Sequence, residues 1–126
     1  MIYYLLTILV SQFFQDTSIN GPIRIEGFGC VAWKTDSLGC QQVRYKMWKV
    51  LIDNKQKIIG QKRAAVEKLL GPPNSTLNNN EITFYFLNIG YQCRGAKKEE
   101  YNDVETFKFG VDYKGDKAVE VFTMIP

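Results

Sequence analysis

Histidine is absent from this chain. Its absence removes the side chain that most often serves as a general base near neutral pH, and the commonest metal ligand with it. Ser-His-Asp and Cys-His catalysis are excluded on the same ground. Cysteine is scarce: Cys30, Cys40 and Cys93 complete neither a four-cysteine zinc site nor one that needs two histidines. A carboxylate pair or a lysine nucleophile would still be allowed, but no motif marks either. A long hydrophobic run is missing too. Residues 2–10 are almost purely apolar, yet far short of the roughly 20 residues that a membrane-spanning helix needs. The net charge of +3 is small and does not by itself call for nucleic acid.

What is present suits one domain with a real core: 126 residues, 45% hydrophobic and 13% aromatic. Residues 1–15 are read as a signal peptide or N-terminal apolar segment, with residues 16–38 as an N-terminal extension. The apolar run and the polar stretch after it fit a secretory signal. No lysine or arginine precedes the run and no A-x-A site follows it, Ser11 being the best small residue before a cut. The alternative is an N-terminal strand or helix packed on the domain. Cys30 follows Glu26-Gly27-Phe28-Gly29, which is not apolar enough to mark a lipid-modified cysteine. An exported form would therefore be soluble rather than lipid-anchored.

Downstream, a short strand is expected over 23–26. Residues 33–40 form a turn into a helix, capped by Asp36 or Ser37. Residues 41–54 lack Gly and Pro, and Val43, Met47, Val50 and Leu51 recur at helical spacing, with Asn54 as the stop. Val66, Leu69 and Leu70 share a face of a second helix, which Gly71 ends through a left-handed conformation and Pro72-Pro73 keeps from restarting. Residues 74–80, rich in asparagine, read as a polar loop. Strands are expected over 82–87, 105–111 and 118–125, the last two joined into a hairpin by Gly115. The order helix-helix-strand-strand-strand predicts an α+β fold, two helices packed on a three-stranded antiparallel sheet.

Gly60, Val66, Leu70, Gly71 and Pro73 match most of the pattern G-x-[ST]-x-x-x-V-x-x-x-L-G-x-P. The chain thereby resembles the SmpA/OmlA (BamE-like) family, over residues 39–126 as a domain. It departs from the pattern where Lys62 replaces the Ser/Thr cap and Ala65 the Glu/Gln three residues on, so the capping box is absent. The resemblance extends to the tandem-repeat β-lactamase inhibitor proteins of the same fold. It implies protein binding without enzyme activity.

The three cysteines leave one thiol over in any pairing. If the chain is exported, Cys40–Cys93 is the favoured bridge, pinning the long loop after the first strand to the helical layer. Cys30–Cys93 is the alternative, and three unpaired thiols the bland one. From Arg44 to Lys68 basic residues outnumber Asp53 and Glu67, which suggests an anionic partner or simply a solvated face. Nucleic acid is not expected, since no binding motif accompanies the charge. The loop 88–103 is longer than a connection needs, and Tyr91, Arg94 and Tyr101 are its candidate partner-binding residues, against a plain polar loop. Glu99, Glu100 and Asp103 read as solvated charges. Trp48 is expected in the core, and Trp33 either in the core or as an exposed anchor.

These readings converge on a non-enzymatic cell-envelope protein, periplasmic or secreted. It would bind or scaffold another envelope protein, with peripheral contact to an anionic membrane surface. No cofactor or metal is expected. The alternative is an enzyme-inhibitor or immunity-type binding protein on the same fold.

Overall fold

The structure, a computed structural model, describes residues 22–126. The segment 1–15, read as a signal peptide or apolar segment, lies outside the described residues. The fold is α+β. Helices α1 (Cys30–Thr35), α2 (Val43–Asp53) and α3 (Arg63–Leu70) precede strands β1 (Ser75–Leu77), β2 (Ile82–Phe86), β3 (Lys108–Lys114) and β4 (Lys117–Met124). The strands form one antiparallel sheet in the order β1-β2-β3-β4. Short 3-10 turns lie at Lys55–Lys57, Tyr91–Cys93 and Lys98–Asp103.

Two of these elements correct the expected two helices on three strands. The first is α1, within the span read as an extension. Ile25 and Trp33 belong to the main core, so residues 22–38 are integral to it. No strand forms over 23–26. The second is β1, inside the stretch read as a polar loop. Asn78, Asn79 and Asn80 adopt φ of 53°, 54° and 69°. Asparagine tolerates this left-handed region better than other non-glycine residues, so the run turns the chain back and pairs β1 with β2.

Helix α2 begins as Asp36 directs. Its Oδ1 accepts the Gln41 N–H at 2.9 Å, and its Oδ2 accepts those of Val43 and Arg44 at 2.9 and 3.1 Å. One carboxylate thus satisfies donors that the first turn leaves free. Asn54 ends the helix, its side-chain amide donating to the Val50 carbonyl at 2.8 Å. Leu51 is fully buried, with Met47, Trp48, Val50 and Ile52 packed against the core beside it.

Helix α3 starts at Lys62 without a side-chain cap. Val66 and Leu70 are fully buried, and Leu69 nearly so. Gly71 ends it with φ 81° and ψ −175°. The positive φ is as expected, but the extended ψ is not left-handed helical; this region is essentially reserved for glycine. Three side chains meet the carbonyls released there. Lys34 Nζ donates to Lys68 O at 2.8 Å, Trp33 Nε1 to Leu70 O at 3.1 Å, and Tyr85 Oη to Gly71 O at 2.8 Å. The Gly-Pro-Pro exit is therefore held by α1 on one side and β2 on the other.

The sheet is buried on both faces. Tyr85, Leu87, Phe109, Val111, Tyr113 and Val121 meet Trp33, Leu51, Ile58, Val66 and Leu70 in the main core. On the opposite face, Phe84 and Phe86 are also buried. Tyr101 from the long loop packs edge-on against Phe86 at 5.7 Å, and the Lys108 ammonium lies 5.5 and 5.8 Å from the Phe84 and Phe86 ring centres. Phe122 lies over Gly110 and edge-on to Phe84 at 6.0 Å, so that a Cβ at Gly110 would collide with its ring. Strand β3 starts at Lys108 rather than at residue 105, because Thr106 Oγ1 turns to the Asn88 carbonyl at 2.9 Å and closes the loop. A register irregularity at Asp112/Tyr113 then carries the pairing on to the Gly115 turn.

Candidate functional site

The Cys40–Cys93 disulfide is present, its Cα atoms 5.8 Å apart. It ties the loop before α2 to the 3-10 turn Tyr91–Cys93, as anticipated, and Cys30 is the free thiol. Buried Gln92 reinforces the junction. Its amide donates to Leu38 O at 3.0 Å and Asn88 O at 2.8 Å.

The long loop brings its candidate residues to two places. Tyr91 and Arg94 share an exposed turn, closed by Arg94 N–H to Tyr91 O at 2.9 Å, with exposed Ile89 nearby in the chain. Tyr101 instead packs on the sheet, and its half-buried ring forms one wall of a cleft. Glu99, Glu100 and Asp103 are exposed. Of the family-pattern residues, Gly60 enters α3 at φ 90°, Val66 and Leu70 sit in the core, and Gly71 and Pro73 line that same cleft.

The cleft measures about 260 Å³ and lies where α1, the loop after it, α2, the Gly-Pro-Pro turn and the long loop converge. Its charged lining residues are Lys34, Arg44 and Lys98, with no carboxylate among the residues that line it. Leu38, Leu70, Pro72 and Pro73 give it an apolar wall.

Arg44 is the one buried charge of its lining, 2% exposed, with Lys34 and Lys98 both exposed. Nε donates to the Trp33 carbonyl at 2.9 Å, and Nη1 to Asn74 Oδ1 at 2.8 Å and the Phe86 carbonyl at 3.4 Å. All these acceptors are neutral. The guanidinium carbon lies 5.0 Å from the Trp33 ring centre and 5.7 Å from that of Tyr85. Desolvation pushes the Arg44 pKa down to about 10, while the charges of Asp36 and Tyr85 pull it upward. At neutral pH the group remains a cation held on aromatic faces and carbonyls.

Reading the basic hairpin as one solvated surface therefore misplaces Arg44. Lys46, Lys49, Lys55, Lys57, Lys62 and Lys68 are exposed, but Arg44 is core. The signal was in the spacing: Arg44, Met47 and Leu51 follow the i, i+3, i+7 rule of one helical face. Lys34 and Lys98 carried no such signal, since tertiary packing alone brings them to the cleft. Trp33 is fully buried, and half-buried Trp48 packs edge-on against Phe107 at 5.1 Å.

Among the described residues, no three cysteine, aspartate or glutamate side chains gather as a metal site would require. No described helix is long and apolar enough to cross a membrane. No protein-family model matches the chain, and neither does any curated protein or solved structure.

Proposed function

We propose that this chain is an exported, non-enzymatic protein-binding domain of the SmpA/OmlA-like kind. It would work in a bacterial cell envelope, periplasmic or secreted, as a binding or scaffolding partner of another envelope protein. The observation that carries the reading is the Cys40–Cys93 disulfide. Bonds of this kind form and persist in oxidising compartments, and this one fixes a long loop with exposed Tyr91 and Arg94 to the helical layer. Pre-ordering a loop before it meets a partner lowers the entropy that binding must overcome. The Gly60 to Pro73 pattern, with its helix-then-sheet order, supports the family likeness.

The test is the intact mass of the full chain expressed in an exporting bacterial host, with and without reduction and alkylation. Loss of the N-terminal apolar segment together with one disulfide is expected. An intact Met1 with three free thiols would overturn export. A tight one-to-one complex with an enzyme, in place of association with an envelope assembly, would favour the inhibitor-type alternative.

A further inference from the structure

We propose that the cleft between Lys34, Arg44 and Lys98 binds the C-terminal carboxylate of a partner polypeptide whose last side chain is apolar. The proposal rests on the protein-binding reading above and gives that partner a chemical class.

Charge complementarity is the first support. Three cations face one small cleft, and no acidic side chain lines it. Asp36 is the nearest candidate counterion to Arg44, but its oxygens are engaged by the backbone N–H groups of Gln41, Val43 and Arg44. Nη2 of Arg44 has no acceptor among the described residues, whereas Nε and Nη1 are both occupied. A buried guanidinium with the two N–H donors of Nη2 left over, its other three bonded only to neutral oxygens, favours an incoming anion. Its lowered pKa reflects the same undercompensated burial.

Position and shape supply the rest. The occupied nitrogens fix the guanidinium in place, so little ordering remains when a ligand arrives. Lys34 Nζ uses one of its three donors on the Lys68 carbonyl and keeps two. Lys98 is exposed at the rim and free to close on a ligand. The apolar wall lies beside these cations, which suits an oxyanion borne on an apolar body better than a bare inorganic ion. A chain terminus offers that combination: a carboxylate next to a side chain.

The experiment titrates the full disulfide-bonded protein with an acetylated tetrapeptide ending in leucine, as the free acid and as the C-terminal amide. Inorganic phosphate is the third probe. Amide chemical shifts report binding at Asn74, Lys98 and Tyr101. Saturable shifts with the free acid, at least about tenfold weaker with the amide or after Lys98→Gln, are expected. Arg44→Lys is expected to weaken the free acid further, with Lys98→Gln as the informative variant should Arg44→Lys fail to fold. Equal binding of acid and amide, no saturable shift, or phosphate binding as tightly as the peptide acid would overturn the proposal. Its failure is distinct from failure of export: a cleaved, disulfide-bonded protein that ignores the free acid loses the site alone.

Discussion

Tyr85 and Tyr113 both belong to the main core, yet their hydroxyls are differently placed. Tyr85 donates to the Gly71 carbonyl at 2.8 Å, whereas the buried Tyr113 hydroxyl makes no well-formed hydrogen bond, the Thr83 hydroxyl beside it donating instead to Val111 O at 3.4 Å. Losing the first strands a buried carbonyl; losing the second removes a buried polar group that gains nothing. Tyr85→Phe is therefore expected to cost about 1–3 kcal/mol, and Tyr113→Phe to be neutral or stabilising, as read from urea midpoints. The same pair sets an alkaline limit. Burial pushes Tyr113 up to about 12 and Tyr85 higher still. An unfolded tyrosine ionises near pH 10, so below that both states hold their protons and stability is intact. Above it the unfolded chain sheds protons that the folded chain keeps. Each tyrosine should then lower stability by about 1.4 kcal/mol per pH unit until Tyr113 itself ionises, while Arg44, which the folded chain deprotonates first, offsets about one of them, leaving a shallower net fall. Denaturant midpoints at pH 9 and pH 11 check this, and Tyr113→Phe should flatten the slope. Arg44 makes a related point about what sequence shows. Its helical face was readable, but its carbonyl and aromatic partners come from α1, the Gly-Pro-Pro turn and β2, far apart in the chain.

Helix α3, like α1, starts without a side-chain cap, its first N–H, that of Arg63, reaching the Asp116 carbonyl at 2.8 Å. Lys62 offers no side-chain oxygen to the first turn, and Lys62→Ser should stabilise the fold by roughly 1 kcal/mol, seen as a higher Tm. An unchanged or lower Tm would show that another contact already compensates. The elements that the sequence displays plainly are those with periodicity and punctuation together. Helix α2 has an apolar stripe between Asp36 and Asn54, and the β3–β4 hairpin has Gly115 at its turn. Helix α1 has neither: six residues, of which Trp33 alone is buried, formed because the indole fits the core and caps the end of α3. Strand β1 hid for a different reason. Three asparagines signal polarity in composition, and their other property, tolerance of positive φ, matters only once a partner strand is present. The alternation Ile82, Phe84, Phe86 was legible, but the face it marks is not the one toward the helices: Tyr85 and Leu87 enter the main core, while Phe86 meets Tyr101 of the long loop and Phe84 meets Phe122. The cleft was not legible, since it exists only where five separate segments converge.

Across the whole molecule the disulfide dominates. Its cysteines are 53 residues apart, and the chain-entropy model assigns such a bridge about 4 kcal/mol. Replacing both Cys40 and Cys93 by alanine should lower unfolding free energy by about that amount in denaturant titration, and should loosen the turn Tyr91–Cys93 first. The sheet edges are guarded at the same scale. Asn102 Oδ1 accepts the Thr76 N–H of β1 at 3.2 Å, and residues 60–62 cover the start of β4 through Gly60 N–H to Ala118 O at 2.7 Å and Ala118 N–H to Gln61 O at 2.9 Å.

The bridge also divides the covalent chain into a ring and two tails. Helices α2 and α3 and strands β1 and β2 lie inside the ring, while α1 belongs to one tail and β3 and β4 to the other. A protease that cuts at the exposed asparagine tip, between Asn78 and Asn80, opens the ring without parting the molecule. The nicked protein keeps its mass plus one water, and two fragments separate only under reductant. A cut at the exposed Gly115 turn, outside the ring, leaves β4 held by hydrogen bonds and packing alone.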